Sequence, residues 1–152
     1  MTTTSPNPNK ETLSLPVIDA CEPQVIRALQ KDNWAIVNKP FAIRTNTHTV
    51  FADCLLERKH NGSSEHAIIL EVKCFANPQT DLTEFYTAVG QYQFYRAAVA
   101  SNQSTTPIYL AIPHPAYIRL MKDNAISIAM SQNGIKLVAV DLVTEEVVLW
   151  LH

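Results

Sequence analysis

At 152 residues the chain is the size of one domain, with room for a substantial core. Its 47% hydrophobic and 17% charged content excludes a disordered polymer, and a net charge of -2 excludes a globally basic nucleic-acid wrapper, though not a local basic groove. No apolar run approaches the roughly 20 residues of a membrane span, and the polar start lacks the plan of a signal peptide, so a cytoplasmic protein with no membrane contact is expected.

Residues 1–16 are polar, Pro-containing and aperiodic, the pattern of a flexible N-terminal arm, and residues 17–152 read as a single domain. Asp19 or Glu22 caps a first helix, Pro23 suits its opening turn, and Val25, Ile26 and Leu29 form its apolar stripe. Asn33 suits a left-handed stop before the strand Trp34 to Val37, which Pro40 closes. Two extended segments follow, Thr49 to Glu57 and Glu65 to Phe75, separated by the hairpin signal Asn61-Gly62.

Loop length carries chemical meaning in this hairpin. Directly opposed residues of an antiparallel pair share a face. A three-residue loop, Asn61 to Ser63, opposes His60 to Ser64 and brings Asp53 across from Glu71. A two-residue turn puts Asp53 on the other face. A site built on both carboxylates therefore requires an odd loop or a bulge.

After Asn77-Pro78 the period becomes helical. Asp81 with Glu84 resembles a capping box, and Phe85, Val89 and Tyr92 recur on one face to about Ala100. Gly90 interrupts this helix, which points to close approach of another backbone. Ile108 to Ile112 reads as a short buried strand, and Ala116 to Gln132 as a helix with a break expected around Asp123-Asn124. Gly134 is a stop, and Lys136 to Val140 and Val147 to Leu151 are the last strands, with Thr144-Glu145 at the turn between them. The order α-β-β-β-α-β-α-β-β describes an α/β (α+β) domain, a mixed sheet flanked by helices, with a helical crossover after the third strand.

Glu71-Val72-Lys73 ends the apolar run Ala67 to Leu70. A carboxylate and an ammonium two residues apart on a strand point to one side. With Asp53 on the neighbouring strand, they suit Mg²⁺ or Mn²⁺, which take oxygen ligands and keep several waters, and they suit a phosphate. The same residues also suit a strand end with a surface ion pair. Glu57 shares a strand face with Asp53 and is a weaker metal ligand. Gln91 and Tyr95, four apart on a helix, either support the site or line an ordinary helix surface. Arg96 is a weak candidate for a DNA-backbone contact.

The five histidines are scattered without metal-motif spacing. Cys21, Cys54 and Cys74 are odd in number and equally unpatterned, so reduced, packed thiols are expected rather than disulfides or zinc ligands. With only three glycines, the chain has no phosphate-cradling loop.

Four segments together resemble the XisH family, the fdxN element excision controlling factors. They are Glu71-Val72-Lys73-Cys74-Phe75, Ala88-Val89-Gly90-Gln91-Tyr92 with Tyr95-Arg96, Ile108 to Pro113, and Lys136 to Asp141. Trp34 and the terminal Glu146-Val147-Val148-Leu149-Trp150 fit as well. The resemblance runs from about residue 19 to the C-terminus. It implies a fold similar to the restriction-endonuclease-like PD-(D/E)XK nucleases, with Asp53, Glu71 and Lys73 catalytic, Gln91 and Tyr95 supporting them, and Glu22 an additional acid on the first helix. The family's Asp-Leu-Gly-Ala-Glu run corresponds here to Asp53-Cys54-Leu55-Leu56-Glu57, with the acidic pair kept and the glycine replaced.

By that resemblance the chain is expected to act on DNA during excision of an element in cyanobacterial heterocyst differentiation. An XisI-like partner and a separate recombinase are expected beside it. Two functions follow from the resemblance: a Mg²⁺- or Mn²⁺-dependent endonuclease, or a catalytically silent regulatory protein that binds DNA or an XisI-like partner. A homodimer suits a two-fold DNA site.

Overall fold

The computed structural model describes residues 20–60 and 63–152. The N-terminal arm, the Asp19 cap and the Asn61-Gly62 turn lie outside the described residues. The helices are α1 (Glu22–Lys31), α2 (Asp81–Ser101), α3 (His114–Met121) and α4 (Asn124–Gln132). The strands are β1 (Trp34–Asn38), β2 (Phe41–Arg44), β3 (Thr49–Ala52), β4 (Cys54–His60), β5 (Ser63–Val72), β6 (Ile108–Pro113), β7 (Leu137–Asp141) and β8 (Glu146–Leu151).

Six strands form one mixed sheet in the order β1-β4-β5-β6-β7-β8, and β2 pairs with β3 in a small second sheet. β5 runs parallel to β6, and β6 parallel to β7, each joined by a helical crossover, while the remaining pairs are antiparallel. The expected α/β (α+β) class and the crossover after the hairpin are both present. Among the described residues no helix is long and apolar enough to cross a membrane.

The continuous apolar runs of β5, β6 and β7 are explained by burial on both faces. Leu70 and Val72 join Val25, Ala28 and Leu29 of α1 in one cluster. Ile69 joins Phe85, Tyr92 and Tyr95 of α2, with Leu110, Ile112 and Leu137, in the other. The Tyr92 hydroxyl donates to the Ile108 carbonyl at 2.9 Å and accepts the Lys136 N–H at 3.0 Å, so a helix side chain joins the backbones at the starts of β6 and β7.

Four expectations change. The segment Thr49 to Glu57 is not one strand, because the chain bends at Asp53 and passes from the small sheet into the large one. The capping box at Asp81 does not form: Thr80 holds the N-cap and its side chain accepts no helix N–H, and Asp81 accepts two bonds from Arg119 at 2.6 and 3.0 Å. An ion pair to α3 competes for that carboxylate and wins. No backbone approaches Gly90, where an added Cβ meets nothing within 4 Å. Finally, Cys21 and Cys74 are joined in a disulfide, and Cys54 is free and buried. Docking of the α1 start against the end of β5 brings the two sulfurs together, which a separation of 53 residues does not reveal.

The hairpin reaches the required parity by its second route. His60 pairs with Ser63, not Ser64, so of the two alternatives the odd-length loop is not the one adopted. The register then shifts between Arg58 and Lys59, and below the bulge Arg58 faces His66 and Cys54 faces Leu70. Asp53 immediately precedes Cys54 and Glu71 immediately follows Leu70, so the two acids flank the last paired residues of the ladder.

Candidate active site

The site lies where β5 ends. Glu71 is its penultimate residue, paired with Leu110 of β6, and Lys73 follows with its N–H bonded to the Ala111 carbonyl at 3.0 Å. Lys73 Nζ is 3.8 Å from Glu71 Oε1, with both side chains largely sheltered. Asp53 occupies the corner between β3 and β4, where its Oδ2 accepts the Val72 N–H at 2.6 Å. The bond fastens the acidic corner to the strand that carries Glu71 and Lys73.

Glu22 enters from α1. It is buried, and Lys39 Nζ lies 3.7 Å from its Oε1. The environment of Cys54 records how these charges converge. Its thiol is pushed up to about 12, first by burial, then by the negative charges of Asp53, Glu22 and Glu71, with Lys39 acting in the opposite sense. Asp53, Glu22 and Glu71 are thus all within electrostatic reach of one buried thiol. Cys54 stays protonated and is no nucleophile.

Tyr95 reaches the same region from α2. Its hydroxyl donates to the Phe51 carbonyl at 3.1 Å, and its pKa is raised by burial, then by Glu71 and Asp53. One turn earlier on the helix, Gln91 places Oε1 in a buried position with no hydrogen-bond partner.

The remaining candidates lie elsewhere. Glu57 sits between Ala35 and Ala67 in the ladders, and four strand residues from Asp53 amount to about 13 Å, too far to share an ion. Arg96 bonds Gln93 and the Gly134 carbonyl and lies over the Tyr92 ring, 5.3 Å from its centroid. Sequence reasoning missed Lys39. Its one signal was position, at the end of β1 beside Pro40.

The XisH protein family model matches residues 15–148. The chain belongs to the XisH family. It is similar to a solved XisH family protein from Nostoc punctiforme PCC 73102, with 29% identity and a TM-score of 0.79, over 88% of this chain and 100% of that one. It is also similar to a fdxN element excision controlling factor protein from Anabaena variabilis, with 27% identity and a TM-score of 0.76, over 86% and 97%. No curated protein matches the chain.

In this XisH family member the donor set at the end of β5 is oxygen-only, the two buried carboxylates of Asp53 and Glu71. That chemistry fits a hard divalent cation such as Mg²⁺ or Mn²⁺, which completes its shell with water. Among the described residues no three His, Cys, Asp or Glu side chains gather to hold a metal. The fit is thus to a two-carboxylate, water-rich site, not a closed cage.

Proposed function

We propose that the protein acts on DNA in the excision of a fdxN-type element, as a divalent-metal-dependent endonuclease of PD-(D/E)XK type. The observation that carries this reading is the Asp53 carboxylate bonded to the Val72 N–H at 2.6 Å, next to Glu71 at the end of β5, with Lys73 Nζ 3.8 Å from Glu71. Asp53 and Glu71 are the residues that would hold Mg²⁺ or Mn²⁺. When bound, the ion lowers the pKa of a water and offsets charge on the phosphoryl oxygens.

The chain's own groups do the rest. Lys73, beside Glu71, faces the scissile phosphate and orients the attacking water. Lys39 brings a second positive charge beside Glu22. Tyr95 fixes the corner before Asp53 through the Phe51 carbonyl, and Gln91 offers a free acceptor one helical turn away. The protein acts in the cytoplasm beside an XisI-like partner and a separate recombinase, and a homodimer suits two-fold DNA.

The test uses purified protein with Mg²⁺ or Mn²⁺ and duplex, branched and single-stranded DNA, with and without the XisI-like partner. Cleavage is expected, and Glu71→Gln should lower it by roughly a hundredfold or more while the fold is retained. Wild-type protein that binds no ion and cuts none of these substrates, alone or with the partner, sinks the nuclease reading.

A second reading has its own support. Asp53 is already engaged by the Val72 N–H and Glu71 by Lys73, as in a carboxylate pair kept for structure. The protein is then a silent nuclease fold that binds DNA or the XisI-like partner. Under it, Glu71→Gln leaves excision intact.

A further inference from the structure

The disulfide sits at the two chain segments that build the site. Cys21 immediately precedes Glu22 and holds the N-cap of α1, a helix that begins without a side-chain cap bond. Cys74 immediately follows Lys73, one residue past the bond from Lys73 N–H to the Ala111 carbonyl. The Cys21 N–H also donates to Cys74 Sγ at 3.1 Å, so the start of α1 is fixed on this sulfur both covalently and by hydrogen bonding.

Closing or opening the bridge therefore acts on Glu22 from one side and on Glu71 and Lys73 from the other. Lys39, at 3.7 Å from Glu22 on a flexible stem, is a looser tie. Cys74 is half-buried, whereas Cys54 is sealed in the core.

We propose that Cys21 and Cys74 form a thiol–disulfide modification site that sets the position of Glu22 relative to Glu71 and Lys73. Oxidised, the bridge holds the acids in the arrangement described above. Reduced, it releases the start of α1 and the segment after Lys73. The consequence for metal binding rests on the nuclease reading.

A low-molecular-weight disulfide such as oxidised glutathione balances the chemistry. One cysteine thiolate attacks a glutathione sulfur and expels the other glutathione as a thiolate. The second cysteine thiolate attacks the protein sulfur of the mixed disulfide and expels the remaining glutathione. Two protein thiols become one disulfide while one glutathione disulfide becomes two thiols, and the two protons pass to the departing thiolates.

Full-length protein equilibrated with oxidised glutathione should show one free thiol after unfolding, Cys54, and with dithiothreitol all three. Reduction is expected to raise hydrogen exchange over residues 21–31 and 73–77 and to weaken Mn²⁺ binding roughly tenfold, with both recovering on reoxidation. The double variant Cys21→Ser, Cys74→Ser should remain at the reduced values in either buffer. Three thiols persisting in the oxidant, or exchange unchanged between the two states, overturns the proposal. Redox-dependent exchange without Mn²⁺ binding in either state supports the bridge's control of Glu22 and removes the metal reading instead.

Discussion

The Asp53 carboxylate accepts the Val72 backbone N–H at 2.6 Å, so a side chain at the corner before β4 closes the end of the β4–β5 ladder. Asp53 thus carries structure and charge together. Asp53→Ala orphans a buried N–H and is expected to cost about 1–3 kcal/mol in chemical denaturation. Asp53→Asn keeps an acceptor, so stability should fall by less while Mn²⁺ affinity, measured calorimetrically, still drops. Equal stability losses for the two variants would separate the charge from the bond and refute this division of roles.

Tyr95→Phe removes the hydroxyl that bonds the Phe51 carbonyl but leaves the ring in the core. A loss of about 1 kcal/mol is expected in urea unfolding. Cleavage should fall only modestly, because Tyr95 supports the corner rather than the phosphate.

Gly90→Ala should stabilise the protein. The position is exposed, lies within α2, and has open space where the methyl would sit. Helix propensity alone predicts a gain of about 0.5–1 kcal/mol, read as a raised Tm. A loss of stability would mean that some other contact requires the glycine.

Reduction of Cys21–Cys74 removes a cross-link that closes a loop of 53 residues. On chain-entropy grounds the oxidised form should be more stable by about 4 kcal/mol. Guanidinium midpoints with and without dithiothreitol measure this directly. The comparison is clean only if Cys54 remains a free thiol in both samples.

Alkaline pH should destabilise the fold through its buried acids. The Cys54 thiol has an ordinary value of 9.0 and is raised to about 12 in the folded protein. A neutral acid whose folded pKa exceeds its unfolded one gives stability that is fully present below pH 9.0 and lost as pH rises from there through about 12. Tyr92 and Tyr95 are raised as well and act in the same direction. Cys54→Ala should shallow the decline in denaturation midpoint across this range, and an unchanged slope would contradict the assignment.

The parts of the fold that were legible are those with local causes. Asn33 and Gly134 have the positive φ expected of helix stops, and Asp123 caps α4 by accepting the Ala125 and Ile126 N–H groups, which fixes the break in the third helical region. Glu71 and Lys73 were visible because a strand's period puts them on one side. What was hidden depended on distant partners. β2 has only four residues, of which Ile43 alone is fully buried, so its apolar signal is slight. The bend at Asp53 is invisible in an uninterrupted extended run, since its cause is the N–H of Val72, 19 residues away. Lys39 reaches Glu22, and Cys21 reaches Cys74, only after α1 has docked.

The Tyr92 phenol has a bearing on assembly. Its oxygen meets β6 at Ile108 and the approach to β7 at Lys136, segments 16 and 44 residues from it in sequence. Parallel neighbours share no hairpin turn to align them. Here a helix supplies the missing gauge: β6 and β7 satisfy the same hydroxyl only when one is set at the correct height against the other. The relative height of the two parallel strands is thereby tied to the packing of α2, the helix that also carries Gln91 and Tyr95.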